Sequence, residues 1–317
     1  MSDRLFGAFL CILASAMFAS TGVFAKLAMD GGFDPATVAA VRTYGGALIL
    51  LPFVFRARRG YTRAMLVPVV LYALIGVFGS QGLYFQTINL MDVALALVIS
   101  YLAPLPVALY QRVRAGEALP LYAYGAMVVA IVGIALAVIG GHGVGRVTAA
   151  GLVFAFATMI TFAIMLILGP RQPQGVGSFA RAGAPLAIAA VAWFIVRPAW
   201  NVPWDLLGHS VEAAGVAVPL WFAIAWTIVI GAVLSFAIVL AGAARVGAGA
   251  ASMFGMAEPV VGALLAWALL GQDLSPVQGL GILITVGAVG VVEHARARRI
   301  GTVEFPDALA PLADDHR

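Results

Sequence analysis

Runs of apolar residues alternate along this chain with short segments rich in glycine, proline and arginine. The runs fall at 5–29, 35–56, 65–88, 92–111, 118–139, 148–169, 177–197, 217–244, 248–269 and 276–293. A helix crossing a bilayer needs about 20 apolar residues, so the pattern predicts ten transmembrane helices. Several boundaries carry helix-start chemistry. Asp34-Pro35 and Ser275-Pro276 each place a capping side chain before a proline at the first helical position, where the missing N–H costs nothing, and Asp92 is the expected cap of helix four. The small residues around Ala16 to Ser20 have the texture of a signal-peptide cleavage site, but the apolar run continues well past them, so helix one is read as a span.

The pattern repeats. A shift of 155 positions superposes helix four on helix nine: Ala94 meets Gly249, Leu97 meets Ser252, Tyr101 meets Met256, Pro104 meets Pro259 and Ala108 meets Ala263. These positions step by three or four and therefore share one helical face in each half. Gly116-Glu117 meets Gly271-Gln272, and Gly125 and Gly133 of helix five answer Gly279 and Gly287 of helix ten. The repeat divides the chain into a first five-helix unit at 1–140, a Gly-rich connection at 141–147, a second five-helix unit at 148–295 and a polar tail at 296–317, expected to be disordered. Five is odd, so the second unit must be threaded with opposite orientation. An all-α membrane fold of two inverted five-helix repeats follows, with a binding site expected near the midplane, where interrupted helices meet.

Composition agrees. The chain has 317 residues, 63% of them hydrophobic and only 10% charged, and a mean hydropathy of +1.04. The net charge of +4 does not indicate a nucleic-acid partner, because the arginines cluster at the ends of apolar runs. With the N-terminus inside, Arg56, Arg58, Arg59, Arg63, Arg112, Arg114 and most other arginines fall in cytoplasmic segments, and only Arg146 and Arg197 fall outside. The positive-inside rule then puts both termini in the cytoplasm, with Trp200, Trp204, Trp221 and Trp267 near the outer interface. A single cysteine, Cys11, and four scattered histidines provide no metal-ligand spacing, and no cofactor is expected.

Candidate chemistry is sparse. Lys26, Arg42 and Glu258 are the only charges clearly within spans, and intramembrane charges are functional candidates by default. Lys26 sits near the outer end of helix one, where snorkelling is the plain alternative. At 1.5 Å per residue, Arg42 lies roughly 10 Å and Glu258 roughly 16 Å below the surface, close enough for an arginine to reach. At 100° per residue Glu258 points away from Ser252, Met256 and Pro259, which suggests a structural acid between helices, paired with Arg42, or else a group coupling protons or receiving a substrate amine. Tyr101, Met256, Pro104, Pro259 and Ser252, with Tyr84, Thr158 and Thr161, are the expected cavity residues. Core filling and helix-to-helix hydrogen bonding are their plain alternatives. The paired glycines of helices five and ten predict close packing within the monomer or between copies.

The sequence resembles the EamA-type branch of the drug/metabolite transporter superfamily over residues 5 to 293. The likeness rests on Phe18-Ala19-Ser20 to Lys26, Pro35 to Arg42, Pro104 to Gly116-Glu117 to Gly125 to Gly133, and Glu258-Pro259 to Gly271. Within the family it looks most like the amino acid exporters, including the aromatic amino acid group. The resemblance implies a carrier for amino acids, other metabolites or drugs, in the inner membrane of a bacterium. Phe18-Ala19 stands where the family usually has Trp-Gly, which bears on pocket shape. Gln272 stands where it usually has glutamate, at a helix start where capping is at stake. Export of amino acids or similar amphipathic metabolites is the expectation. Uptake, a passive channel and an intramembrane enzyme are the alternatives, the last lacking any intramembrane histidine or carboxylate pair.

Overall fold

A computed structural model describes residues 3–115, 119–140, 147–173, 176–247, 251 and 254–300. Ser252, Gly116-Glu117, most of the Gly-rich connection and the tail from Gly301 lie outside the described residues. The helices are α1 (Asp3–Asp30), α2 (Pro35–Ala57), α3 (Arg63–Leu90), α4 (Val93–Ser100 and Pro104–Ala115), α5 (Leu121–Gly140) and α6 (Ala149–Leu168). After them come α7 (Ser178–Val196), α8 (Leu220–Val246 in three consecutive segments), α9 (Ala257–Leu270) and α10 (Pro276–Ile300). Among the described residues nine helices are long and apolar enough to span a membrane, and α9 is a shorter apolar tenth. Helices satisfy their own backbone hydrogen bonds, which is why a lipid-soluble chain is built from them.

The helix starts follow the sequence chemistry. The Asp34 carboxylate accepts from the Thr37 N–H at 3.0 Å, with Pro35 as the next residue. Ser275 and Gln278 form a reciprocal capping box, at 3.1 and 3.2 Å. Thr148 caps α6 through the Gly151 N–H and donates to the carbonyl of Leu90, tying the start of α6 to the end of α3. Asp92 takes the extended N-cap backbone of α4 but makes no capping bond; the Val93 N–H is instead received by Gln272 Oε1 at 3.1 Å. Gln272 therefore caps α4, in the other half, rather than the helix that follows it.

Helix contacts obey the repeat. α2 packs on α7, α5 on α10 and α4 on α9, each pair being its own counterpart when the halves are exchanged. α1 on α8 answers α6 on α3, and α1 on α9 answers α6 on α4. The symmetry extends into irregularities that the periodicity did not predict. α3 widens into a π-helix over Tyr72–Gly79 and α8 over Thr227–Leu234, the same 155-residue offset. Gly76 and Gly231 hold the same place in these turns, and each is pressed by a neighbour: a Cβ on Gly76 would lie 2.8 Å from Met165 Cγ, and one on Gly231 2.5 Å from Thr21. Such turns mark functional positions often enough to direct attention to them.

Two expectations are corrected, and a third is met in part. Residues 217 to 219 belong to a β-hairpin, β1 (Ser210–Ala213) and β2 (Val216–Pro219), and not to helix eight; its Ala214-Gly215 turn has positive φ at both residues. α10 continues to Ile300 because the arginines after residue 293 are good helix formers beyond the apolar stretch. Of the four paired glycines only Gly133 lies in the α5–α10 contact, opposite Gly281. A Cβ on Gly133 would meet Thr285 Oγ1 at 2.4 Å and one on Gly281 would meet the Ala137 nitrogen at 2.5 Å, whereas one on Gly125, Gly279 or Gly287 would meet nothing within 4 Å among the described residues. The helices are antiparallel, so contacts pair a rising number with a falling one and do not follow the repeat offset.

Candidate functional site

The two central prolines break their helices at matched positions. Pro104 has no N–H for the Ser100 carbonyl, which is taken up by Ala103 N–H at 3.1 Å, so Tyr101 to Ala103 form a turn between the halves of α4. Met256 is the corresponding turn residue before α9, and Pro259 lies within the first turn of that helix. Each break starts a new helix inside the bundle. Glu258 stands in the first turn of α9, where the unpaired N–H groups and the helix dipole favour a carboxylate. Ser15 of α1 donates to the Phe254 carbonyl at 3.2 Å, satisfying backbone near the break.

The breaks touch. The Tyr101 hydroxyl donates to Glu258 Oε2 at 2.5 Å, joining the first half to the second. Both residues are half-buried, as are Tyr84 and Met256, whereas Pro104 and Pro259 are buried. Glu258 thus meets Tyr101, the repeat counterpart of Met256, although a helical wheel turns it away from Ser252, Met256 and Pro259. The wheel holds only for one continuous helix, and the 100° step does not carry through the turn at Met256. The Tyr101 ring lies 6.3 Å from that of Phe162 on α6.

Tyr84 comes next. Its hydroxyl fits against Gly22 of α1, where a Cβ would approach to 2.4 Å. Arg42 is buried and donates from Nη2 to the carbonyl of Gly231 at 3.1 Å, in the π turn of α8. The expected Arg42–Glu258 ion pair is absent among the described residues, because the carboxylate is held by Tyr101 and the guanidinium by α8. Lys26 pairs with Asp30 one turn on, at 2.6 Å, and so is engaged within its own helix.

Thr158 and Thr161 sit differently. Thr158 bonds the Phe154 carbonyl and lies 3.3 Å from Thr87 Oγ1 on α3, and Thr161 bonds the carbonyls of Ala157 and Thr158. These bonds bind α6 to itself and to α3. Phe18 packs edge-on against Phe236 at 5.1 Å, and the buried Ala19 faces Gly262 of α9, so the Phe-Ala pair shapes where α1 meets the second half. Neighbours not singled out from sequence are Gly22, Phe162 and Gly231. Their signals were spread over different helices, except that Ile75-Gly76 and Ile230-Gly231 match at the repeat offset.

The sequence profile of the EamA-like transporter family matches residues 5–139 and again 149–293. The chain belongs to the EamA-like transporter family. The two matches agree with the structural repeats. An inner membrane transporter of Salmonella typhimurium, YicL, is 24% identical over 299 residues, covering 91% of this chain and 95% of the relative. A solved crystal structure at 20% identity, with a TM-score of 0.58, covers 94% of this chain and 98% of its own, and supports the fold. As an EamA-like protein the chain is a multi-pass membrane transporter, and the place where the two helix breaks meet, at Tyr101 and Glu258, is the candidate site for a small-molecule substrate.

Proposed function

We propose that this EamA-like transporter exports amino acids or similar small amphipathic metabolites across a bacterial inner membrane by alternating access, with both termini in the cytoplasm. The observation that carries the reading is the Tyr101–Glu258 hydrogen bond, which joins two proline-broken helices from opposite repeats. A bond across the repeat interface is made or lost as the halves move, and one partner is ionisable. Tyr101 and Met256 offer an aromatic and an adaptable thioether surface to an apolar side chain, and Glu258 offers a carboxylate to an amine or a proton. The few intramembrane charges argue against a polyanion such as a sugar phosphate, which calls for several convergent basic groups. The inner-membrane relative supports the location.

The test is counterflow in proteoliposomes. Vesicles carrying the purified protein and preloaded with unlabelled amino acid are given traces of labelled amino acids. A carrier accumulates label transiently, saturably and with trans-stimulation. Equilibration without trans-stimulation identifies a passive channel, and the absence of movement for every amino acid removes the substrate class. In inside-out cell vesicles, net accumulation indicates export and net depletion indicates uptake.

A further inference from the structure

α2 and α7, one from each half, pack antiparallel from Tyr44 against Arg197 to Phe53 against Phe179, and the two ends of this pair are finished differently. At the end beside the α1–α2 loop, Arg197 pairs with Asp34, so the cation has a carboxylate from the protein. At the opposite end lie Arg56 in the last turn of α2, Arg58 and Arg59 in the turn that follows, Arg63 at the start of α3 and Arg171 in the loop between α6 and α7. All five are exposed, and none has a side-chain hydrogen bond, ion pair or ring contact among the described residues. The sequence supplies no counter-charge nearby: residues 35–91 and 118–204, which contain both loops, have no aspartate or glutamate. The loops make one surface. The Tyr61 hydroxyl donates to the Ala180 carbonyl at 2.8 Å, Gln172 Nε2 donates to the Pro68 carbonyl at 3.1 Å, and a Cβ on Gly60 would come within 2.9 Å of Val176. Exposed apolar side chains adjoin the arginines along the helices: Phe53 and Phe55 before Arg56, Leu66 and Val67 after Arg63.

We propose that the joined α2–α3 and α6–α7 loops form a binding surface for anionic phospholipid headgroups, seated across the boundary between the two halves. The leaflet is the cytoplasmic one in the orientation proposed above, and the inference is independent of the substrate. A guanidinium makes paired hydrogen bonds to a phosphate, and basic side chains clustered at the end of a transmembrane helix attract acidic lipids. A lipid fits better than a soluble anion. The apolar side chains next to the arginines meet acyl chains while the guanidinium groups stay at headgroup level. The lipid phosphate then does at this end of the α2–α7 pair what the Asp34 carboxylate does at the other. Arg56, Arg58, Arg59 and Arg63 belong to one half and Arg171 to the other, so a lipid held by both groups ties the halves together.

The experiment uses the full chain purified in detergent and titrated with phosphatidylglycerol or phosphatidylcholine of the same acyl chains. Bound lipid is read by native mass spectrometry, with the melting temperature measured in parallel. The wild type should bind phosphatidylglycerol at least about tenfold more tightly than phosphatidylcholine, as expected when two or more arginines face an acidic headgroup. Arg58→Gln/Arg59→Gln should bring that ratio to within about threefold. Arg112→Gln/Arg114→Gln, which removes the same charge from the last turn of α4, should keep the wild-type ratio. Equal affinity of the wild type for the two lipids overturns the proposal without reference to any variant. A monodisperse Arg58→Gln/Arg59→Gln protein with the wild-type ratio overturns it too, as does an equal fall in the Arg112→Gln/Arg114→Gln protein, which would mark diffuse charge in place of a defined surface. Inorganic phosphate without lipid, at the same concentration, should leave the melting temperature unchanged. A shift as large as that from phosphatidylglycerol would assign the arginines to a soluble anion and overturn the lipid assignment.

Discussion

The Tyr101 hydroxyl and the Glu258 carboxylate, 157 residues apart in sequence, meet at 2.5 Å where the breaks of α4 and α9 face each other. The contact joins the two halves of the repeat through one residue that obeys the internal symmetry and one that does not. Tyr101 corresponds to Met256, whereas Glu258 corresponds to Ala103. An inverted repeat that is symmetric in fold is thus asymmetric in charge at its centre.

Tyr101→Phe keeps the ring against Phe162 and removes only the donor. A hydrogen bond to a charged group is worth about 1.5–3 kcal/mol, so a tenfold or larger change in counterflow rate is expected, with thermal stability lowered by less than removal of the whole ring would lower it. Tyr101→Ala removes both and should be worse in both assays.

Gly281 and Gly279 are two residues apart on α10 and should behave oppositely. A methyl at Gly281 runs into the α5 backbone at 2.5–2.6 Å, and backbone does not yield as a side-chain tip does. Gly281→Ala is expected to cost about 1–3 kcal/mol, read as a lower melting temperature in detergent. Gly279→Ala meets nothing within 4 Å among the described residues and should be neutral or slightly stabilising, since alanine is the better helix former.

Gln272 holds the first N–H of α4 from the opposite half. Gln272→Ala should cost about 1 kcal/mol as a lost cap, while Gln272→Glu, which keeps an acceptor near a helix N-terminus, should retain or improve stability. Melting curves of the two variants decide this, and equal losses in both would contradict the capping role.

Asp34 lies in the loop between α1 and α2, outside the spans. Burial works to raise its pKa, but hydrogen bonds from Thr37 and the charge of Arg197 outweigh it and hold the carboxyl below its ordinary value. Arg197, at the end of α7, pairs with Asp34 and donates from Nε to Thr37 at 2.7 Å, so the pair fastens α7 to α2. A lowered folded-state pKa contributes stability that is fully present above the unfolded value of about 3.9 and is lost as pH falls through the folded value. The melting-temperature difference between wild type and Asp34→Asn should therefore be largest at pH 5 and above and shrink toward pH 3. A difference independent of pH would contradict this.

Much of the fold is legible in the residues. Asp34-Pro35 and Ser275-Pro276 mark helix starts because capping is local chemistry, and Pro104 with Pro259 reveals both the repeat and the breaks because a missing N–H has no remedy in sequence context. The position of Glu258 was not legible. A helical wheel carries direction only along unbroken helix, and depth estimates for Arg42 and Glu258 say nothing about azimuth, so the anticipated ion pair gave way to separate contacts with Gly231 and Tyr101. The π turns were hidden because one additional residue per turn hardly alters an apolar run. The hairpin at Ser210 to Pro219 was partly absorbed into helix eight because Val216 to Pro219 is as apolar as the helix it precedes.

The central claim is that the junction of the two breaks is where substrate is handled and where transport is driven. Counterflow and pH-dependent uptake of labelled amino acids, measured side by side for wild type and Glu258→Gln in proteoliposomes at matched protein content, test it most directly. The account predicts that Glu258→Gln remains folded and monodisperse, transports at least about tenfold more slowly, and loses the pH dependence of the wild type. Full transport by Glu258→Gln with an unchanged pH profile would contradict it.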